Sequence, residues 1–200
     1  MKLMKTLSAV LLSASIALSA PFAFAANAEA FIKEKHTELV GLVKKAKGPA
    51  DDKKLEAAFD EVLDYDTLAK ESLKDFWADR SPEERAEFQS VLTKLVRAAY
   101  RKSLKRIEGY DVEFKGASKH EGGELVRTVA KKRGNEREEP LSIDYVVSDK
   151  SGKNKIVDIV TEGSSLVVNY RNQFKRIIKK NGFPELLKRM KTKLEKGDVN

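Results

Sequence analysis

A chain of 200 residues, 41% hydrophobic and 35% charged, holds enough apolar material for one compact domain or two intimately packed subdomains, burying roughly 70% of the unfolded surface. Its 39 Lys and Arg against 31 Asp and Glu, net +8, are a modest excess for a chain so rich in both signs, which argues against a dedicated nucleic-acid binder. The absence of cysteine excludes thiol catalysis, disulfides and a lipobox anchor, so stability must come from a packed core.

Lys2 and Lys5 precede an apolar run from Leu7 to Leu18 and a small-residue stretch, Ala23-Phe24-Ala25, the pattern of a cleavable secretory leader. Residues 1–25 are expected to be a signal peptide and 26–200 the mature domain, exported to the periplasm. Ala26-Asn27-Ala28 offers a second cleavage point. No later apolar run approaches the roughly 20 residues a membrane helix needs. Because two of the basic residues lie in the leader, the mature excess is +6.

From Ala28 to Ala46, Phe31, Ile32, Leu39, Leu42 and Val43 recur at helical spacing, and Gly48-Pro49 ends the run. A second helix carries Leu55, Ala58, Phe59 and Val62, with Asp51 or Asp52 expected at its cap. Asp64-Tyr65-Asp66 then opens a short helix through Leu68, Leu73 and Phe76, with Asp66 read as its cap. Ser81-Pro82-Glu83-Glu84 combines an N-cap serine, a first-turn proline and a glutamate placed to reach back. A long helix follows, with Phe88, Leu92, Leu95, Val96, Ala99, Tyr100, Leu104 and Ile107 on one face until Gly109.

The period then changes to alternation. Tyr110–Phe114, Leu125–Ala130, Leu141–Val147 and Ile156–Thr161 are separated by Gly122-Gly123, Gly134-Asn135 and Ser151-Gly152, which predicts a four-strand antiparallel meander. Glu162-Gly163-Ser164-Ser165 turns directly into a helix from Leu166 to Lys180, and a last helix runs from Pro184 to about Lys196. Helices, a meander, then helices give an α+β class: a twisted antiparallel sheet of about four strands flanked by helices. Positive charge gathers late, at Lys175, Arg176, Lys179, Lys180, Lys188, Arg189, Lys191, Lys193 and Lys196. It forms a solvated face or one attracted to anionic headgroups or an acidic partner.

Few side chains carry recognisable chemistry. His36 and His120, the latter placed in a loop, lack metal-ligand spacing to any partner. Asp64-Tyr65-Asp66 has the look of a carboxylate pair, but Asp66 reads more simply as a helix cap than as an acid-base group, and Ser164 and Ser165 read as caps rather than nucleophiles, since no Gly-x-Ser-x-Gly elbow surrounds them. The remaining signal is apolar and aromatic. Catalysis, a metal and a cofactor are not expected.

Tyr65-Asp66-Thr67-Leu68-Ala69, Ser81-Pro82-Glu83-Glu84-Arg85-Ala86-Glu87-Phe88 and Val157-Asp158-Ile159-Val160-Thr161-Glu162-Gly163-Ser164-Ser165-Leu166, continuing through Asn169-Tyr170-Arg171-Asn172-Gln173-Phe174, resemble the MlaC family, also called toluene-tolerance auxiliary proteins. The resemblance covers most of the mature chain. It implies a periplasmic carrier with acyl chains buried between sheet and helices and a diacyl phospholipid as cargo. It also implies exchange between an outer-membrane lipoprotein-porin complex and an inner-membrane ABC transporter with an MCE-type subunit, maintaining outer-membrane lipid asymmetry. The sequence departs from the family where a Trp and a Tyr often enter the last strand and Asn154 and Val157 stand here, which leaves room for another amphiphile such as a hopanoid. A non-lipid interaction module is the competing reading. The expected walls of the apolar cavity are Leu92, Leu95, Ala99, Val129, Ile143, Tyr145, Tyr170, Phe174 and Ile177.

Overall fold

The computed structural model describes residues 20–46, 48–107, 109–135 and 137–197. Its elements in chain order are α1 (Ala20–Lys45), α2 (Pro49–Val62), α3 (Tyr65–Leu73) with a 3-10 turn at Lys74–Phe76, α4 (Pro82–Ile107), β1 (Tyr110–His120), β2 (Gly123–Lys132), β3 (Leu141–Ser148), β4 (Lys155–Thr161), β5 (Ser164–Ser165), α5 (Leu166–Asn181) and α6 (Phe183–Lys196). The expected leader lies largely outside the described residues. Side-chain packing on α1 is evident from Ala28 and Ile32, both buried.

The strands form one antiparallel sheet in the order β1-β2-β3-β4-β5, so the expected meander is present with a short fifth strand added. Glu162 and Gly163 both take positive φ, 48° and 73°, which folds β4 back through a two-residue turn of the kind that matches strand twist. Val160 then pairs with Ser165 and Thr161 with Ser164. At the other end of β4, Leu63 bridges to Ile156 and the Asp64 N–H donates to the Ile156 carbonyl at 2.9 Å. The outer edge of β4 is therefore covered by β5 and by the α2–α3 junction.

Three local expectations need correction. α2 is capped by neither aspartate: Gly48 is the N-cap, Pro49 starts the helix, and Asp51 and Asp52 occupy the first turn, where negative charge favours the exposed N–H groups. In α3 the cap is Asp64, not Asp66. Its Oδ1 accepts from the Thr67 N–H and its Oδ2 from the Thr67 hydroxyl, both at 2.9 Å, while the Asp66 carboxylate accepts from Gln89 on α4. β1 continues past Phe114 through a bulge at Gly116, φ +94°, to His120. His120 thus ends a strand rather than sitting in a loop, and its Nδ1 accepts from the Gly122 N–H at 3.2 Å. A bulge resets the inside-outside alternation, and so hides the second half of a strand from a period-2 reading.

The Ser81 capping box forms as expected, the Glu84 N–H donating to Ser81 Oγ at 3.2 Å and the Ser81 N–H to Glu84 Oε2 at 3.0 Å. α4 packs on α1, α3 and α6, while α5 packs on α3, α6 and β4. The aromatic centre of this helical layer is Phe88, edge-on to Phe174 at 5.5 Å and tilted against Phe183 at 6.1 Å. α1 crosses the inner face of β1, β2 and β3. α4 makes no comparably extensive contact with the sheet, which leaves space between them.

Candidate functional site

That space is a cavity of about 540 Å³, within the range of roughly 300–1,000 Å³ typical of small-ligand sites. α4 contributes Val96, Ala99 and Tyr100, and α5 contributes Leu166, Asn169 and Tyr170. The sheet contributes Tyr110, Ala130, Leu141, Ile143, Tyr145, Ile159 and Thr161, and β5 contributes Ser164. The sheet residues follow from register. Ala130 faces Leu141 across β2 and β3, Ile143 faces Thr161, and Tyr145 faces Ile159 across β3 and β4, so these side chains line one face of the pleat. Small residues at Ala99 and Ala130 leave the opposing walls unable to meet.

Beside it lies a smaller hollow of about 60 Å³, roofed by Ile32, His36 and Leu39 of α1 and closed by Phe59, Val62 and Leu63. Tyr100, Tyr145 and Ile159 belong to both and form the partition. His36 lies edge-on to Phe114 at 6.4 Å, and burial pushes its pKa down, favouring the neutral ring.

The cavity is apolar but carries phenols. Burial pushes the Tyr145 hydroxyl up to about 12 and that of Tyr170 above its ordinary value. Tyr100 is pushed well above its own by burial first and then by neighbouring Tyr145 and Tyr170. All three remain neutral at physiological pH and place hydroxyl groups, each able to donate or accept a hydrogen bond, within a greasy wall. Tyr170 stacks on Phe174 with centroids 5.3 Å apart and planes 5° from parallel, which fixes its ring at the cavity edge.

The start of α5 is positioned by one carboxylate. Asp158 Oδ1 accepts from the N–H groups of Ile159 at 2.8 Å and Val167 at 3.1 Å, and Oδ2 accepts from the Ser165 hydroxyl at 2.5 Å. Ser165 Oγ in turn accepts from the Val168 N–H at 3.0 Å. Ser165 is therefore the N-cap and its hydroxyl is engaged in structure. Neither histidine is among its hydrogen-bond partners, so no Ser-His relay is assembled there. Among the described residues no group of His, Asp or Glu is placed to hold a metal ion, and no helix is long and apolar enough to cross a membrane.

Of the wall residues expected from sequence, Ala99, Ile143, Tyr145 and Tyr170 line the cavity. Leu92, Leu95 and Phe174 are buried in the closed core instead, and Ile177 packs against that core from the edge. Val129 is on the wrong face: Glu124, Val126, Thr128 and Ala130 are the buried positions of β2, so the strand parity is shifted by one residue. Sequence reasoning missed Val96, Tyr100, Tyr110, Ala130, Leu141, Ile159, Thr161, Ser164, Leu166 and Asn169. Correct parity on β2, extended across the strand pairs, would have located the sheet members. The side chains of Leu104 and Ile107 lie outside the described residues.

Comparison with known proteins adds family and fold. The family model described as MlaC protein matches residues 34–192. A phospholipid-binding protein from Ralstonia solanacearum, solved in complex with a phospholipid, superposes with a TM-score of 0.74 at 20% sequence identity, covering 86% of this chain and 98% of that one. No curated protein sequence matches the chain.

Proposed function

This chain belongs to the MlaC family, and from that premise we propose that it is a periplasmic shuttle that carries a diacyl phospholipid in the cavity between sheet and helices. The observation that carries the reading is the apolar space of about 540 Å³ between α4, α5 and the sheet. The phospholipid in the similar Ralstonia structure supports the ligand class.

The energetics explain why a carrier is needed. About 30 chain methylenes at about 0.8 kcal/mol each make the transfer of a diacyl lipid from bilayer to water cost on the order of 24 kcal/mol. Free diffusion across the periplasm is negligible, whereas a cavity nearly as apolar as the bilayer keeps each exchange close to balance, so that small differences between docking partners set direction. Those partners are an outer-membrane lipoprotein-porin complex and an inner-membrane MCE-type ABC transporter, with outer-membrane lipid asymmetry as the outcome. The function requires binding and release, not catalysis, and the chain reaches the periplasm through the leader at residues 1–25.

Native mass spectrometry of freshly purified protein, followed by solvent extraction, tests the ligand. Two-chain lipids of mixed headgroup are expected, because the walls are mainly hydrocarbon. A polycyclic amphiphile would replace phospholipid in the proposal, and an empty protein would favour a non-lipid interaction module. Ala99→Trp, placed on the α4 wall, is expected to abolish co-purifying lipid while the protein remains folded. Amino-terminal sequencing of the periplasmic fraction is expected to begin at Ala26.

A further inference from the structure

The outer face of α5 carries charge that the fold does not use. Val168, Asn172, Lys175 and Lys179 recur at helical spacing along one exposed stripe, flanked by exposed Arg176 and Lys180. Val168, 43% exposed, is the large apolar side chain most open to solvent among the described residues. It adjoins Asn169, which lines the cavity. The cations of the stripe form no ion pair among the described residues. Nearby carboxylates are already engaged: Glu71 of α3 with Arg171 at 3.2 Å and Lys74 at 3.0 Å, Glu87 of α4 with Lys191 at 2.5 Å, and Glu185 of α6 with Arg189 at 2.8 Å.

We propose that this stripe is a docking surface for an anionic phospholipid bilayer, bringing exposed Val168 and the cavity-lining Asn169 beside it against the membrane. The inference rests on the lipid-carrier reading and adds the surface by which the carrier approaches the membrane that holds its exchange partner. Charge complementarity selects the occupant. The stripe is lysine-rich and lacks aromatic residues, the opposite of a protein-interface centre, where Lys is depleted and aromatic side chains are enriched. Mobile lysines suit a diffuse anionic surface, where each cation near the headgroups strengthens binding about fivefold within a Debye length.

The test uses the mature protein with vesicles of phosphatidylcholine alone and of phosphatidylcholine mixed with phosphatidylglycerol, read by co-sedimentation. Binding is expected to the anionic vesicles only, and to fall as salt is raised. K175Q/R176Q/K179Q/K180Q should weaken it several-hundredfold while retaining the native melting temperature and the co-purifying lipid, since the stripe lies outside the cavity. Equal binding to both vesicles, binding to neither, or undiminished binding by the variant overturns the proposal. Loss of transport by the variant in cells without any vesicle binding also overturns it, assigning the face to an acidic protein. Lipid content measured on the same samples separates each of these results from failure of the carrier reading.

Discussion

Asp158 concentrates more of the structure than its sequence position suggests. Sitting between two apolar strand residues, it accepts from Ile159, Val167 and Ser165 and so joins the last long strand to the first turn of α5. Asp158→Ala removes the acceptor and leaves the Val167 N–H without its partner in a half-buried setting, with an expected cost of about 1–3 kcal/mol. Urea denaturation measures it, and Ser165→Ala, losing only the cap, should cost about 1 kcal/mol. The cavity tyrosines make a second prediction. A phenol raised in the folded state and near 10 when unfolded adds stability that is fully present below the unfolded value and is lost as pH rises through the folded one. Tyr145, at about 12, should therefore resist ionisation through pH 10 and 11, and the protein should lose stability across that window. Tyr145→Phe should flatten the decline; an unchanged melting profile against pH would contradict the burial of this hydroxyl.

At the level of elements, two joints bear the architecture. Phe88 brings α4 against both α5 and α6 through its contacts with Phe174 and Phe183 and is fully buried. Phe88→Ala should destabilise by about 3–5 kcal/mol through lost burial and the cavity left behind, as read by chemical denaturation. Gly123 opens β2 at φ +151°, where an added Cβ would lie 2.0 Å from the Val147 carbonyl oxygen. Gly123→Ala must therefore displace β3 or break the hairpin, a cost beyond the about 1–3 kcal/mol of backbone strain alone. The β1–β2 pair also has an acid response. Lys115 and Lys131, at 2.7 Å and 2.6 Å, hold Glu113 down at about 2. Its contribution is present above the ordinary carboxylate range and is lost as pH falls toward 2. Melting temperatures of Glu113→Gln and the unaltered protein should converge at the acid end and separate above it.

For the whole molecule, the proposed lipid would tie stability to occupancy of the interior. A ligand present at a hundred times its dissociation constant adds about 2.7 kcal/mol, so stripping the lipid should lower the melting temperature by about 5–10 °C for a domain of this size. A sealed core would show no such drop. The boundaries of α4 and α5 were legible because capping residues and apolar stripes are local signals: Ser81, Glu84, Ser165 and Gly163 act within a few residues of themselves. Ala99, Ile143, Tyr145 and Tyr170 were legible as inward-facing. Val129 was misplaced because parity on a strand has no internal mark, and Leu92, Leu95 and Phe174 because an apolar helix face is the same in sequence whether it meets another helix or open space.

The order of residues thus determined the class, the meander, the starts of α4 and α5 and the family likeness, all of which depend on short-range chemistry and periodicity. The tertiary structure alone decided that α4 rests on α1, α3 and α6 rather than on the sheet, and so where the hollow lies and which side chains face it. Closure of an apolar surface depends on the distance between elements far apart in the chain, and that distance is set by the packing of all the others.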